Sequence, residues 1–207
     1  MYTYVFAIKP EKRLFDNILD IKRKAKNLVG KQIYLEDEPH ITLYVTELKS
    51  EDLWLDLLKK GISDNLNNSL FAINGWHVFK SDAITGLDTL VCKISEKGFD
   101  WLKEIQMTLV HVLAKYRTDR ITKRYMNTYD SLPAQFRKSL EQYGYPFVGD
   151  IWKPHISIAS FEKEALKKVW TAVKELCPNG EYHPDTLVVY KLGANEKLNK
   201  LGEILFH

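Results

Sequence analysis

Apolar and polar residues alternate along the chain in two distinct patterns. Residues 3–9 (TYVFAIK) form a short apolar run that ends at Pro10, which predicts an opening β-strand. The next segment, from Glu11 to Val29, predicts an amphipathic helix that ends at Gly30. Its apolar residues recur at intervals of three and four: Leu14, Ile18, Ile21, Ala25 and Leu28.

The same two patterns continue to the end of the chain. Further strands are predicted at about 40–46, 70–79, 87–95, 155–161, 185–192 and 201–206, and further helices at about 50–60, 98–116 and 162–176. Near residue 86 the order of elements starts again, which indicates a duplicated strand–helix–strand–helix–strand unit. We therefore predict an α+β fold in one bilobal domain over residues 1–207. Repeats at about 1–80 and 86–207 would be related by a pseudo-two-fold axis, with antiparallel sheets facing a central cleft and helices outside.

The two copies differ by an insertion in the second. Their opening strands lie about 85 residues apart, whereas two matching histidines, His40 and His155, lie 115 apart, and residues 117–152 account for the difference. Interleaved cations and aromatics suit a phosphate-and-base ligand, but a solvated helix pair with a small core of its own is an equal alternative. The residues concerned are Arg117, Arg120, Lys123, Arg124, Tyr125, Tyr129, Arg137, Lys138, Tyr143, Tyr145 and Trp152.

Composition narrows the class of protein further. The 207 residues are 45% hydrophobic and 28% charged, as in ordinary soluble globular proteins. A net charge of +3 means that attraction for nucleic acid must come from a local patch. The two cysteines form no CxxC pair, and the N-terminal apolar run is too short for a signal peptide or a membrane span. These features predict a cytoplasmic protein without a membrane partner.

Two nine-residue stretches share one pattern of residues. "EPHITLYVT" (38–46) and "KPHISIASF" (153–161) both read Pro, His, Ile, a hydroxyl residue and an aliphatic residue. Side chains alternate faces along a strand, so His40 shares a face with Thr42, and His155 with Ser157. Two lobes related by a pseudo-two-fold axis would bring both pairs to one cleft.

Two imidazoles and two hydroxyls suit the chemistry of a phosphodiester. One imidazole takes a proton from the attacking water, and the other gives one to the leaving oxygen. The hydroxyls donate to the non-bridging oxygens, where charge develops. The sequence has no HxH, HExxH or clustered aspartates, so we predict no metal or other cofactor. The remaining histidines, which are His77, His111, His183 and His207, are interpreted as structural or surface residues.

The paired motifs resemble those of the two-histidine (2H) phosphoesterase superfamily, which includes 2'-5' RNA ligase (LigT-like) proteins and cyclic phosphodiesterases. The resemblance covers about residues 1–116 and 151–207 and includes the strand pairs at 70–95 and 185–206. It implies that His40 and His155 are the acid and the base, and that Thr42 and Ser157 bind phosphate. It also implies metal-independent action on 2',3'-cyclic phosphates, 2'-5' linkages or cyclic oligonucleotides. The longer insertion leaves the substrate open.

Four further residues are weaker candidates for substrate binding. By strand alternation, Tyr44 shares the face of His40 and Phe161 that of His155. Trp152 and Lys153 come just before the second motif and lie within reach of a phosphate or a base. Core packing, or a solvated lysine, is an equally good interpretation of each.

Three hypotheses about function are consistent with the sequence. The first is a phosphodiesterase for a small nucleotide or short oligonucleotide, with a monomer favoured. The second is a protein that binds or joins RNA ends, whose affinity would fall steeply with salt. The third is a protein that sequesters a nucleotide without chemistry, which would not need both histidines and both hydroxyls.

Overall fold

The computed structural model describes residues 2–49, 69–118, 123–193 and 197–205. The helix predicted at 50–60 lies outside these ranges, as do Arg120 and His207. Within these ranges, no helix is long and apolar enough to cross a bilayer.

In the described ranges, eight antiparallel strands form the sheet. They are β1 (Tyr2–Pro10), β2 (Ile41–Leu48), β3 (Phe71–Phe79), β4 (Asp88–Ile94), β5 (His155–Phe161), β6 (Gly180–Tyr182), β7 (Pro184–Leu192) and β8 (Leu198–Leu205). Seven of them match the strands predicted from apolar runs, and β6 was not predicted because only three residues pair. The α+β class and the antiparallel sheet are confirmed.

The helices of the described ranges are α1 (Lys12–Val29), α2 (Phe99–Leu113), α3 (Lys123–Met126), α4 (Ala134–Tyr143) and α5 (Lys163–Val173). Short 3-10 turns extend α2 to Tyr116 and α5 to Leu176. The predicted ends of both helices therefore match the ends of these 3-10 turns, a few residues beyond the regular α-helix. The insertion at 117–152 contributes α3 and α4, which its sequence pattern did not delimit.

The sheet consists of two halves of four strands each. The strand order is β6-β3-β4-β5-β2-β1-β7-β8, and the halves meet where β2 pairs with β5 at Ile41 and Ile156. β3, which ends the first predicted unit, pairs with β4 of the second, while β7 pairs with β1. Each half therefore takes strands from both units.

The core lies between the sheet and helices α1 and α2. α1 contacts β5 and β1, and α2 contacts β2. Most of the apolar stripes predicted from the spacing of three and four residues are buried, with Leu14, Ile18, Leu102 and Leu109 each 0% exposed. Leu28, in the last turn of α1, is an exception at 48% exposed. Burying a side chain of this size contributes about 1.5–3 kcal/mol. These helices cover one face of β2 and β5, which leaves the opposite face for the histidines.

Each histidine strand contains a β-bulge at the same place. Thr42 pairs with Ala7 and Tyr44 with Phe6, so Leu43 is the extra residue in β2. In β5, Ser157 pairs with Val91 and Ala159 with Leu90, so Ile158 is the extra residue. One extra residue reverses which face the following side chains occupy. The alternation predicted from the sequence therefore holds only up to the bulge.

Candidate active site

The two histidine motifs line one cavity of about 1010 Å³. His40, Thr42, His155 and Ser157 all contribute to its wall. All four side chains are half-buried, as expected for polar groups that face a cleft. The convergence that the repeated pattern predicted is present.

Pairing of β2 with β5 explains how the four groups come together. Ile41 is opposite Ile156 in an antiparallel register. Extending that register by one residue each way places His40 across from Ser157, and Thr42 across from His155. Each histidine therefore has one hydroxyl two residues along its own strand and the other on the neighbouring strand.

Both imidazole rings are held by the same backbone contact. His40 Nδ1 lies 2.7 Å from the carbonyl oxygen of Glu38, and His155 Nδ1 lies 2.7 Å from that of Lys153. Because a carbonyl only accepts, Nδ1 carries the hydrogen in both rings. In the neutral imidazole, Nε2 is therefore the basic atom.

The proline of each motif accounts for this contact. Pro39 and Pro154 lie between the histidine and the residue whose carbonyl it binds. A residue before proline is restricted to extended conformations, which limits the directions its carbonyl can take. Proline also fixes its own φ, so the two-residue link is stiff. The repeated Pro-His pair therefore orients the imidazole.

Thr42 contacts the histidine of its own motif. Its Oγ1 lies 3.1 Å from His40 Nε2. With Nδ1 already donating to Glu38, the Thr42 hydroxyl is the donor when the ring is neutral. When a phosphate binds, the same hydroxyl can turn to donate to a non-bridging oxygen.

One aromatic ring packs against each histidine. The ring of Tyr190, on β7, lies 5.9 Å from that of His40, and its hydroxyl donates to the Glu38 carboxylate at 3.3 Å. The ring of Phe79, on β3, lies 4.9 Å from that of His155 in an edge-to-face arrangement. These contacts restrict rotation of both imidazoles.

Burial lowers the pKa of both imidazoles below the ordinary histidine value. The pKa of His40 is lowered chiefly by loss of solvent, while the Glu38 carbonyl and the Asp37 carboxylate oppose this. The pKa of His155 is also lowered chiefly by burial, and both His40 and His77 add to that effect. A neutral imidazole, the form that accepts a proton, is thus favoured near neutral pH.

Tyr44 and Phe161 do not line the cavity, which corrects the sequence prediction. Both are 0% exposed, and the Tyr44 hydroxyl donates to the carbonyl of Tyr143 at 2.6 Å. The bulges at Leu43 and Ile158 turn both rings to the other face. In β2, Val45 occupies the cavity side instead.

The structure places Trp152 and Lys153 in the cavity wall, as expected from their position before the second motif. Trp152 is 3% exposed and packs on Phe99, whereas Lys153 is exposed. His77, interpreted from sequence as structural or surface, also lines the cavity, and its ring lies 4.7 Å from that of Phe79. His77 and Phe79 are two residues apart on β3 and therefore share a face of the strand, and both line the cavity.

Lys22 is a cavity residue that the sequence interpretation missed. It is 3% exposed, and its Nζ donates to the carbonyls of Tyr34 at 2.6 Å and Asp37 at 2.8 Å. Burial lowers the pKa of this amine to about 8. It stands four residues after Ile18, on the apolar stripe of α1, and a lysine in that position was the available signal.

Gln106 of α2 is a second residue that the sequence interpretation missed, although it supports the cavity wall and does not line it. Its Nε2 donates to the carbonyls of Leu43 at 2.7 Å and Phe147 at 3.0 Å, and its Oε1 accepts from the Gly149 amide at 2.8 Å. It is fully buried, and it joins the bulge of β2 to the end of the insertion.

In the described part of the chain, no three His, Cys, Asp or Glu side chains lie close enough together to hold a metal ion.

Comparison by sequence finds nothing, since no protein-family model and no curated protein matches the chain. Comparison by structure does find matches. TT0787 of Thermus thermophilus is 11% identical, with 99% of this chain and 97% of that one covered and a TM-score of 0.54. A structure described as a phosphoesterase is 12% identical over 100% and 99%, with a TM-score of 0.53.

The structure of E. coli LigT complexed with NADP+ is also similar. It is 12% identical, covers 99% of this chain and 97% of its own, and has a TM-score of 0.50. Identities this low establish the fold alone. The chain therefore has the same fold as these three structures, and the fold that the resemblance led us to expect is confirmed.

Proposed function

We propose that this protein is a metal-independent phosphodiesterase that hydrolyses a phosphodiester of a nucleotide by two-histidine acid–base catalysis. The observation that carries the proposal is the matched orientation of His40 and His155. Each ring donates through Nδ1 to the carbonyl two residues before it, and each lines the same cavity with a hydroxyl side chain beside it. Thr42 and Ser157 are the proposed phosphate ligands.

The proposed reaction balances with groups of this site. Nε2 of one neutral imidazole takes a proton from water while the water oxygen bonds to phosphorus. The phosphorus–oxygen ester bond breaks, and the leaving oxygen takes the proton from Nε2 of the other, protonated imidazole. The two hydroxyls donate to the non-bridging oxygens as negative charge increases there. The products are a phosphate monoester and an alcohol.

Charges around the cavity favour His40 as the acid in the free protein. The carboxylates of Asp37 and Glu38 both raise the pKa of His40, and the Lys22 ammonium lowers it. The pKa of His155 is raised by one carboxylate, that of Asp82, and lowered by the imidazoles of His40 and His77. Carboxylates favour the charged imidazole and neighbouring cations disfavour it. His155 would then accept the proton from water.

Three features support a nucleotide as the substrate. The cavity, at about 1010 Å³, lies at the upper end of the roughly 300–1,000 Å³ that ligand pockets occupy, so it has room beyond a single phosphate. Its wall contains aromatic rings that can stack on a base. The similar LigT structure holds NADP+, which is itself a dinucleotide.

The proposal is tested by a turnover screen in excess EDTA. The purified protein is incubated with 2',3'-cyclic mononucleotides, 3',5'-cyclic nucleotides, linear 2'-5' oligoadenylate, and cyclic di- and trinucleotides, and the products are resolved by chromatography. Cleavage that is lost in both His40→Ala and His155→Ala is the expected result. Joined RNA ends would instead support the ligase alternative, and full turnover by either variant would refute the proposal.

A further inference from the structure

Aromatic side chains of the insertion form one continuous cluster at the cavity. The aromatic wall consists of Tyr125, Phe136, Tyr145 and Phe147, all of which line the cavity. The ring of Tyr145 lies 6.0 Å from that of Tyr125 and 5.5 Å from that of Phe147, which lies 5.2 Å from that of Phe136. The four rings therefore support one another as a unit.

Two members of the aromatic wall keep part of their surface open. Tyr125 is 3% and Tyr145 6% exposed, whereas Phe136 and Phe147 are half-buried. A helix pair with only its own small core would not need to turn two phenylalanines to a cavity. A partly open ring, held by rings behind it, offers its face to a flat ligand.

Contacts with β2 fix the aromatic wall beside the first histidine motif. The side-chain amide of Gln106 donates to the carbonyls of both Leu43 and Phe147. Leu43 directly follows Thr42, one of the proposed phosphate ligands. The neighbouring Tyr44 hydroxyl donates to the Tyr143 carbonyl at 2.6 Å, and the Tyr44 ring lies 6.0 Å from that of Tyr145.

The charge of the residues in the aromatic wall indicates which kind of ligand it can bind. No charged side chain among the described residues of the insertion lines the cavity. Arg137, one of the cations considered for phosphate binding, donates to the Leu132 carbonyl of its own segment at 2.8 Å. The aromatic wall therefore suits an uncharged flat group, such as a nucleobase, better than a second phosphate.

The cavity also continues beyond the histidines on the opposite side. The turn at 80–86, which joins β3 to β4 in the other half of the sheet, lines that end. The Asp82 carboxylate accepts from the amides of Ile84 at 2.8 Å and Thr85 at 3.2 Å, which fixes the shape of the turn. Space is thus available on both sides of the phosphate position.

We propose that the aromatic wall is a base-binding subsite, in which one nucleobase of the substrate stacks on Phe136 and Phe147. The inference rests on the proposed function, since it places the scissile phosphate between the two histidines. It assigns the substrate to phosphodiesters that join two nucleosides, with the second nucleoside towards the 80–86 turn. A cyclic phosphate of a single nucleoside would leave one end of the cavity empty.

The subsite is tested by binding, separately from catalysis. Adenosine 5'-monophosphate and ribose 5-phosphate, which differ only by the base, are titrated calorimetrically into wild-type protein, Phe136→Leu and Phe147→Leu. Tyr129→Leu is the matched control, since Tyr129 belongs to the insertion but bonds to Glu141 and does not line the cavity. Circular dichroism confirms that each variant is folded.

In wild-type and Tyr129→Leu protein, we expect the nucleotide to bind about fivefold or more tightly than the sugar phosphate, as stacking on one aromatic side chain provides. This ratio should fall towards one in both phenylalanine variants. Equal binding of the two probes by wild-type protein, or an unchanged ratio in both variants, overturns the subsite while the phosphate site stands. If neither probe binds, the proposed function fails as well.

Turnover tests the substrate class in the same way. Diadenosine compounds with a 2'-5' or a 3'-5' phosphodiester are compared with adenosine 2',3'-cyclic phosphate by kcat/KM. At least one dinucleoside should exceed the cyclic mononucleotide by tenfold or more, and that advantage should shrink in Phe147→Leu. Turnover of cyclic mononucleotides alone would contradict the assignment.

Discussion

The two halves of the sheet have equivalent elements around the cavity, and each half has a buried polar side chain in an equivalent position on a helix. Lys22 on α1 and Gln106 on α2 lie 84 residues apart, as do Phe6 and Leu90 beside the two bulges. Each buried polar side chain binds the backbone of the segment that leads into a histidine strand: Lys22 donates to two carbonyls before β2, and Gln106 donates to one carbonyl and accepts from one amide before β5. The repeat therefore preserves the support of the histidines as well as the histidines themselves.

The halves differ in what surrounds each imidazole. Carboxylates and Tyr190 lie near His40, and the aromatic wall lies beside its strand. His77, Phe79 and the 80–86 turn lie near His155. Pseudo-symmetry places two imidazoles in equivalent positions, and departure from it gives the two sides of the cavity different surroundings. Residues in equivalent positions therefore need not have equivalent environments.

The strongest test removes each imidazole in turn. His40→Ala and His155→Ala should each lower kcat/KM about 10²–10⁴-fold, because general acid and general base catalysis contribute that much. The activity is measured in EDTA on the substrate found in the screen. His111→Ala, at an exposed position on α2, is the control and should leave activity unchanged. A large loss in only one of the two would break the equivalence of the halves.

Removing each hydroxyl should have the next largest effect. Thr42→Val and Ser157→Ala each take away a donor to the phosphate, which we expect to cost about 10–10³-fold in kcat. Thr42→Ser, which keeps the hydroxyl, should recover most of the activity. Thr171→Val on the outer surface of α5 is the matched control. A change in KM alone, with kcat intact, would assign the hydroxyls to binding only.

The pH optimum of kcat/KM should lie below the ordinary pKa of histidine. Below its lowered pKa the base is protonated, and above its lowered pKa the acid loses its proton, so kcat/KM should be greatest below pH 6.5. The unfolded chain binds more protons in this range, so the free energy of unfolding should rise with pH up to about 6.5. Because kcat/KM reports the free enzyme, an optimum above pH 7 would contradict the lowering of these pKa values by burial.

The smallest effect on activity is expected from Lys22, which supports the segment before His40. Its replacement should affect the half of the sheet that contains β2 and leave the half that contains β5 unchanged. Lys22→Met leaves the Tyr34 and Asp37 carbonyls without their donor, which costs about 1–3 kcal/mol in the free energy of unfolding. Activity should fall only several-fold, because the Glu38 carbonyl still accepts from His40. Urea unfolding and kcat measure the two effects. Lys26→Met, at an exposed position on the same helix, is the control.

Local pattern was enough to predict most of the secondary structure. The apolar spacing of α1 and the apolar run of β1 depend on neighbouring residues, so they are visible in one chain. The placement of His40, Thr42, His155 and Ser157 at one cavity followed from two matching motifs and a pseudo-two-fold axis. Their roles remain a prediction for the experiments above.

Pairing between distant segments decided the rest. The bulges at Leu43 and Ile158 exist only because β2 and β5 pair with β1 and β4, and they turned Tyr44 and Phe161 away from the cavity. The carbonyl partners of Lys22 likewise depend on how the chain returns to α1. A residue's own sequence neighbourhood contains no record of which strand will lie beside it. The sequence by itself therefore determined which polar groups meet at the cavity, and the tertiary structure decided which side chains surround them.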